Sequence, residues 1–265
     1  MKLELHEKNK SFVWHQKKPP FGFLTNAQVK QYDEQGFFLL RGAFSREEIN
    51  QVLNEIDPFE KKVTEDLRQY ENGKFLISRA DDITFTTHLV LYSNFLKSFA
   101  SHKVFKGLCQ DLIGGDVRLY WDQAVYKKGD TQEDFPWHQD NGYTFVNPQA
   151  YLTCWIPLTD TDESNGCPWV IPKLHKMGTL KHDVTELGYK IKLDDSDAIP
   201  VPAKAGDIVV FSSLTPHCTG PNKTDSTRKS YILQYAPNGA VRYPPFSEKE
   251  EANNPDRQFF VNKKS

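Results

Sequence analysis

The chain has 265 residues, enough for one large domain or two small ones. Hydrophobic residues make up 38% of it and aromatic residues 13%, which can fill a core and argues against wholesale disorder. With 33 basic and 35 acidic side chains the formal charge is −2. No overall field therefore directs the protein to nucleic acid or to an anionic membrane, and no run approaches the roughly 18 apolar residues of a membrane span.

Residues 1–20 are polar and charged and end in Pro-Pro; they read as an arm, without the apolar stretch of a signal peptide. Residues 21–250 read as one domain, helical in 21–115 and β-rich in 116–240, followed by a polar tail over 251–265. Thr25 or Asn26 can cap a helix running to about Glu34, and Gly36 stops it. FFLLRG (37–42) has strand length. Ser45 and Glu48 form an S-x-x-E capping box before Ile49, Val52, Leu53 and Ile56 at helical spacing. Residues 57–90 carry no clear pattern, and 91–115 predicts another helix ended by Gly114-Gly115. Short β-rich runs follow at 117–127, 150–160, 167–172, 208–213 and 228–237, with a tight-turn signal at Asn165-Gly166 and a long polar excursion over 176–205. Helices first and many short strands afterwards predict an α+β fold with a β-barrel or sandwich core. The four cysteines (Cys109, Cys154, Cys167, Cys218) have no metal-binding spacing and read as free thiols in a reducing compartment, the cytoplasm.

The chemistry concentrates in PWHQDNGYTFVNP (136–148). On a strand or at its end, residues i and i+2 face the same way, so His138 and Asp140 can present an imidazole nitrogen and a carboxylate oxygen to one point. A third ligand is needed. His217 follows a β-rich run and a Pro in GDIVVFSSLTPHCTG (206–220) and can supply it. Two histidines and one carboxylate occupy one face of an octahedral metal and leave three positions open, the arrangement of non-haem Fe(II) oxygenases. Taken singly, an H-x-D step or a lone His is more often an ordinary polar surface feature. Arg228 adds an independent feature. It lies eleven residues after His217 and shares a strand face with Ser230, Ile232 and Gln234. An inward Arg is costly unless an anion meets it, and its fork suits a carboxylate such as that of 2-oxoglutarate. The alternative is a strand-edge Arg in solvent or paired with Asp225.

The order H-Q-D, then strand–Pro-His, then Arg resembles the phytanoyl-CoA dioxygenase family of Fe(II)- and 2-oxoglutarate-dependent oxygenases. So does DESNGCPWVIPKLHKMG (162–178), and so does the opening LTNAQVKQYDEQGFFLLRGAFSREEI (24–49); the likeness runs from about residue 22 to 240. The resemblance implies a double-stranded β-helix (jelly-roll, cupin-like) core with N-terminal helices packed on one side. It implies His138, Asp140 and His217 as Fe(II) ligands and Arg228 as the anchor of the distal 2-oxoglutarate carboxylate. It further implies Gln123, Trp155 and Thr219 as cofactor contacts, with core packing the competing role for Trp155. A Lys that some members use ahead of the barrel does not transfer to this chain, which reads RADDI (79–83) near that point and offers Arg79 as a substitute. His175 falls in a structural turn of the family pattern, where Leu174 replaces the usual Ser. The implied reaction consumes O2, converts 2-oxoglutarate to succinate and CO2, and hydroxylates an unactivated C–H bond of a small molecule. Asp140 argues against halogenation, because related halogenases lack that carboxylate. Desaturation, epimerisation or ring formation at the same iron is the runner-up, and a non-catalytic cupin-like metal module the alternative from another class. Trp137, Asn141, Tyr143, Phe145 and Arg79, beside the metal motif, are candidate substrate contacts. No basic cluster near the site is evident in the sequence, which favours a free small molecule over a CoA thioester. Substrate identity and oligomeric state are not legible.

Overall fold

The computed structural model describes residues 3–244 and 247–263. The first helix, Asn26–Gln35, starts at a Thr25 cap whose side chain accepts from the Gln28 amide, with Gln28 answering in a reciprocal box. Gly36 ends it with φ +88°, and a Cβ there would meet the His175 ring and the Thr215 hydroxyl at 2.6 Å, so only glycine fits. Ser45 and Glu48 cap the second helix, Arg46–Leu67, as their spacing predicts. This helix runs eleven residues past Ile56, through Pro58, into the stretch that gave no pattern. Lys74–Phe75, Ser78–Arg79 and Ile83–Thr87 are strands in that stretch, two of them only two residues long, too short to show a period. The single helix expected over 91–115 is two, Asn94–Phe99 and Lys103–Leu112.

Two antiparallel sheets face each other. The large one has the order Phe37–Leu40, Ile208–Ser212, Leu152–Pro157, Arg228–Pro237, Val117–Lys127, Ile83–Thr87, Ser78–Arg79, Lys74–Phe75, with Phe260–Asn262 also paired to Val117–Lys127. The small one has the order Ile199–Pro200, Pro168–Val170, His217–Thr219, Phe135–His138. This is a jelly-roll core with few helices. The strand Arg228–Pro237 shows why the large sheet has two different faces. Tyr231, Leu233 and Tyr235 point into the main apolar cluster shared with the helices, which includes Ile49, Val52, Ile56 and Phe105. Ile232 points the other way, into a second cluster with Phe135, Trp155, Val170 and Phe211 between the sheets. The site lies in this second layer.

The N-terminal stretch lies against the domain. Leu5 bridges to Leu180, Asn9 is buried and donates to the Met177 and Thr179 carbonyls, and the Trp14 indole donates to Asp33. The polar tail contributes the edge strand Phe260–Asn262, and Gln258 and Val261 are buried. The excursion over 176–205 contains a short hairpin, Asp183–Thr185 with Gly188–Lys190. All four cysteines are free and buried. Among the described residues no helix is long and apolar enough to cross a membrane.

Candidate metal centre

His138 ends one strand of the small sheet and His217 begins its neighbour; the two residues stand directly opposite each other in the antiparallel register. Their rings are 4.2 Å apart. Asp140 lies just beyond the strand, at the start of the helical turn Asp140–Tyr143. Gln139 keeps an extended backbone (φ −108°, ψ 143°), so the two-residue alternation survives and Asp140 turns to the same side as His138. The Asp140 Oδ1 atom is 3.9 Å from His138 Nε2 and 3.8 Å from His217 Nε2, and one donor atom from each residue lies within 4.8 Å of the others. Among the described residues, this is the one such group that could hold a metal ion.

The surroundings aim these donors. His138 Nδ1 lies 2.8 Å from the Pro136 carbonyl and His217 Nδ1 lies 3.0 Å from the Thr215 carbonyl. A carbonyl only accepts, so both Nδ1 atoms carry the proton and both Nε2 lone pairs face the centre. Thr215 is fixed in turn, its hydroxyl donating to the Gly36 carbonyl at 2.7 Å, which ties His217 to the end of the first helix. Burial and the neighbouring His217 hold His138 well below the usual imidazole pKa, keeping it neutral. Burial raises the Asp140 carboxyl pKa, opposed by His217 and by hydrogen bonds from Thr153 and Gln234; the Thr153 hydroxyl donates to Oδ2 at 2.5 Å. Gln139 points away and is stapled by bonds to the Gly178 and Leu214 carbonyls and from the Leu180 amide.

Arg228 enters the same cavity from the large sheet and is 1% exposed. Nη1 donates to Ser230 Oγ at 2.7 Å and to the Val125 carbonyl at 3.3 Å, while Nε and Nη2 are buried with no partner. No ion pair joins it to Asp225. Burial lowers its pKa to about 10, so it remains a cation near neutrality. A buried guanidinium with two idle donors is costly unless an anion completes it. The groups present therefore fit a metal held by two nitrogens and an oxygen, with a carboxylate co-substrate reaching from the metal to Arg228. Phe85, Val125, Phe135, Phe211 and Ile232 wall the space between.

Gln123, Trp155 and Thr219 also line this cavity; the Trp155 ring lies 5.5 Å from the Arg228 guanidinium while packing in the apolar cluster. The candidate substrate contacts lie elsewhere. Asn141 is fully buried and spent on the Val146 backbone and the Thr179 hydroxyl. Trp137 reaches Asp195, and Phe145 stacks on His6. Arg79 is ion-paired with Glu133 and Glu186 beside a neighbouring recess. Tyr143 comes nearest, its ring edge-on to His138 at 5.3 Å. Asn141 and Phe145 follow the ligand motif in sequence, but the turn at 140–143 carries the chain away from the cavity. Sequence reasoning missed Thr153, and it placed Gln234 on the inward face without a role. A cross-sheet partner leaves no local signature.

The model of the phytanoyl-CoA dioxygenase family matches residues 32–230. The chain belongs to the phytanoyl-CoA dioxygenase family. It is an Fe(II)- and 2-oxoglutarate-dependent dioxygenase. Among its relatives, the methylphosphonate hydroxylase of Gimesia maris is 30% identical over 128 residues, 48% of this chain and 48% of that one, so this chain spans about half the length of that protein. Phytanoyl-CoA dioxygenase 1 of Oryza sativa subsp. japonica is 25% identical over 254 residues, covering 81% of this chain and 90% of its own. The solved structure of the epimerase SnoN with Fe3+, alpha-ketoglutarate and nogalamycin RO superposes with TM-score 0.70 at 20% identity, covering 89% of this chain and 98% of that one, a likeness of fold.

Proposed function

We propose that His138 Nε2, Asp140 and His217 Nε2 hold Fe(II), that Arg228 pairs with the distal carboxylate of 2-oxoglutarate, and that the enzyme hydroxylates a C–H bond of a small molecule. One oxygen atom of O2 goes to the product alcohol and the other to succinate, with release of CO2. The bound iron supplies the oxygen-activating redox chemistry. The protein's own part is positioning. Thr153 and Gln234 hold the Asp140 carboxylate, and the Pro136 and Thr215 carbonyls fix both imidazole tautomers. Arg228 orients the co-substrate, and the Phe85, Phe135 and Phe211 wall keeps out water. Gln123, Trp155 and Thr219 border the co-substrate in this arrangement. The observation that carries the proposal is the pair of idle Arg228 donors in the cavity that holds the triad. A metal-storing module has no use for them. Relatives' names span methylphosphonate, 2-aminoethylphosphonate, hypophosphite, phytanoyl-CoA and ectoine, so no one substrate transfers. The four free buried thiols suit a reducing compartment such as the cytoplasm.

Anaerobic addition of Fe(II) and 2-oxoglutarate is expected to give a weak visible charge-transfer band, and Asp140→Ala to abolish coupled succinate formation. Absence of the band together with no calorimetric 2-oxoglutarate binding overturns the proposal. Product mass then settles the outcome, +16 for hydroxylation and −2 for desaturation.

A further inference from the structure

Two further arginines, Arg242 and Arg257, are connected to the cavity wall through Asn141 and Trp121, toward the end remote from Arg228. The strand pair Val117–Lys127 and Arg228–Pro237 slips by one residue between Gln234 and Tyr235, leaving Tyr120 as the extra residue and setting Trp121 opposite Gln234, which bonds to Asp140. The Trp121 indole donates to Gln123 at 3.1 Å, so Trp121 adjoins the cavity wall. The Arg257 guanidinium stands 6.0 Å from the Trp121 ring, and His88 stands edge-on to the same ring at 4.2 Å. Arg242 arrives by a second route. Asn141, next to the ligand Asp140, clamps the Val146 backbone, and Val146 is the strand partner of Arg242. Burial and the charge of Arg242 lower the Arg257 pKa, and both guanidiniums oppose the burial that raises Tyr120.

The cluster is short of acceptors. Arg242 pairs with Glu250 at 3.1 Å, yet its Nε is buried without a partner. Arg257 has a buried Nη1 without a partner, and among the described residues no ion pair joins it to a carboxylate. His88 presents a buried, unpartnered Nδ1 from a left-handed backbone position (φ 58°). Burial, and then the charges of Arg257 and Arg242, push it down to about 4, so near neutrality it is neutral and adds no charge. Among the described residues Glu250 is the one carboxylate paired here, Asp122 is turned to Tyr231 on the helix side of the sheet, and Asp140 is assigned to the metal. The set carries surplus positive charge and idle donors. Arg228 is six residues before Gln234, roughly 20 Å of strand, so a co-substrate anchored there does not satisfy this end.

We propose that Arg242 and Arg257 form the anion-binding half of the primary-substrate site, so that the substrate is a small molecule bearing an oxyanion, a phosphonate, phosphate or carboxylate. Its carbon chain lies along Trp121 with a C–H toward the metal. This rests on the iron assignment above, and it replaces the expectation that no basic cluster adjoins the site. Paired guanidiniums bind such groups through fixed parallel donors, and the aromatic wall accepts the apolar stem.

The test uses the enzyme reconstituted with Fe(II) and 2-oxoglutarate without oxygen. Methylphosphonate, phosphate and acetate are titrated in by calorimetry, and a series of phosphonates, carboxylates and neutral alcohols of equal chain length is scored aerobically for succinate release. The expected result is that anions bind alongside 2-oxoglutarate, that anionic members and not the neutral ones raise succinate release, and that Arg242→Gln or Arg257→Gln weakens anion binding at least tenfold, with partial recovery in Arg257→Lys. Anions that bind only by displacing 2-oxoglutarate occupy Arg228 and overturn the proposal. So does an intact 2-oxoglutarate charge-transfer band with no anion binding, or equal stimulation by neutral members. Loss of the band in the wild-type protein instead removes the iron assignment, and this proposal with it. The wild-type titrations decide the matter even where a variant does not fold.

Discussion

Asp140, the proposed carboxylate ligand, depends on residues that would never touch the metal. Its carboxylate is buried, and His217 with hydrogen bonds from Thr153 and Gln234 opposes the effect of burial without cancelling it. Thr153→Val keeps the volume and removes the donor. Metal affinity is expected to fall about 10- to 100-fold, read by titration of the apo protein. An unchanged affinity would mean that Gln234 alone orients the carboxylate. That His138, Asp140, His217 and Arg228 lie together was legible, because each sits at or next to the end of a β-rich run, where chain order translates directly into position. Thr153 was not, since its contact with Asp140 crosses from one sheet to the other. Asn141 and Phe145 misled for the opposite reason: proximity in sequence to the ligands does not survive a helical turn that reverses the chain. The proposed pairing of Arg242 and Arg257 depends on a strand slip and an added three-stranded sheet, which no local pattern encodes.

Among elements, capped helices and long strands were the readable ones. Thr25 and Ser45 announce their helices, and 117–127 and 228–237 carry enough residues to show a β period. Two-residue strands and a helix that continues through a proline were not readable. The contact between the large sheet and the helix layer also holds a polar group, Asp122. It accepts from the Tyr231 hydroxyl at 3.0 Å and from the Val90 amide at 3.2 Å. Burial nevertheless raises its pKa from 3.8 to about 6. The folded protein therefore keeps this proton in a range where the unfolded chain has released it, and stability falls as pH rises from about 4 to about 6. Asp122→Asn preserves the shape and cannot ionise. Its stability advantage over the wild type is expected to grow by on the order of 3 kcal/mol between pH 4 and pH 7, measured by urea unfolding. A gap that stays constant across this range would assign the titration to another group.

For the whole molecule, the metal and co-substrate bind the folded chain and not the unfolded one, so each adds its own increment to the melting temperature. A ligand at a hundred times its dissociation constant contributes about 2.7 kcal/mol, or roughly 5–10 °C for a domain of this size. Fe(II) without oxygen is expected to raise the midpoint, 2-oxoglutarate to raise it further, and a chelator to reverse both. Arg228→Met should keep the first increment and lose the second in a thermal melt; losing both would separate Arg228 from the co-substrate. The facing of His138 and His217 has a consequence of another kind. Side chains on a strand alternate with a period of two, so a slip of one residue between these strands would turn one imidazole outward and leave the other without its counterpart. The two nitrogens thus share a single degree of freedom. Half a site has no stable arrangement of its own, and any change that loosens this one strand pairing, however far from the cavity, would reach the proposed iron site as an all-or-none loss of grip.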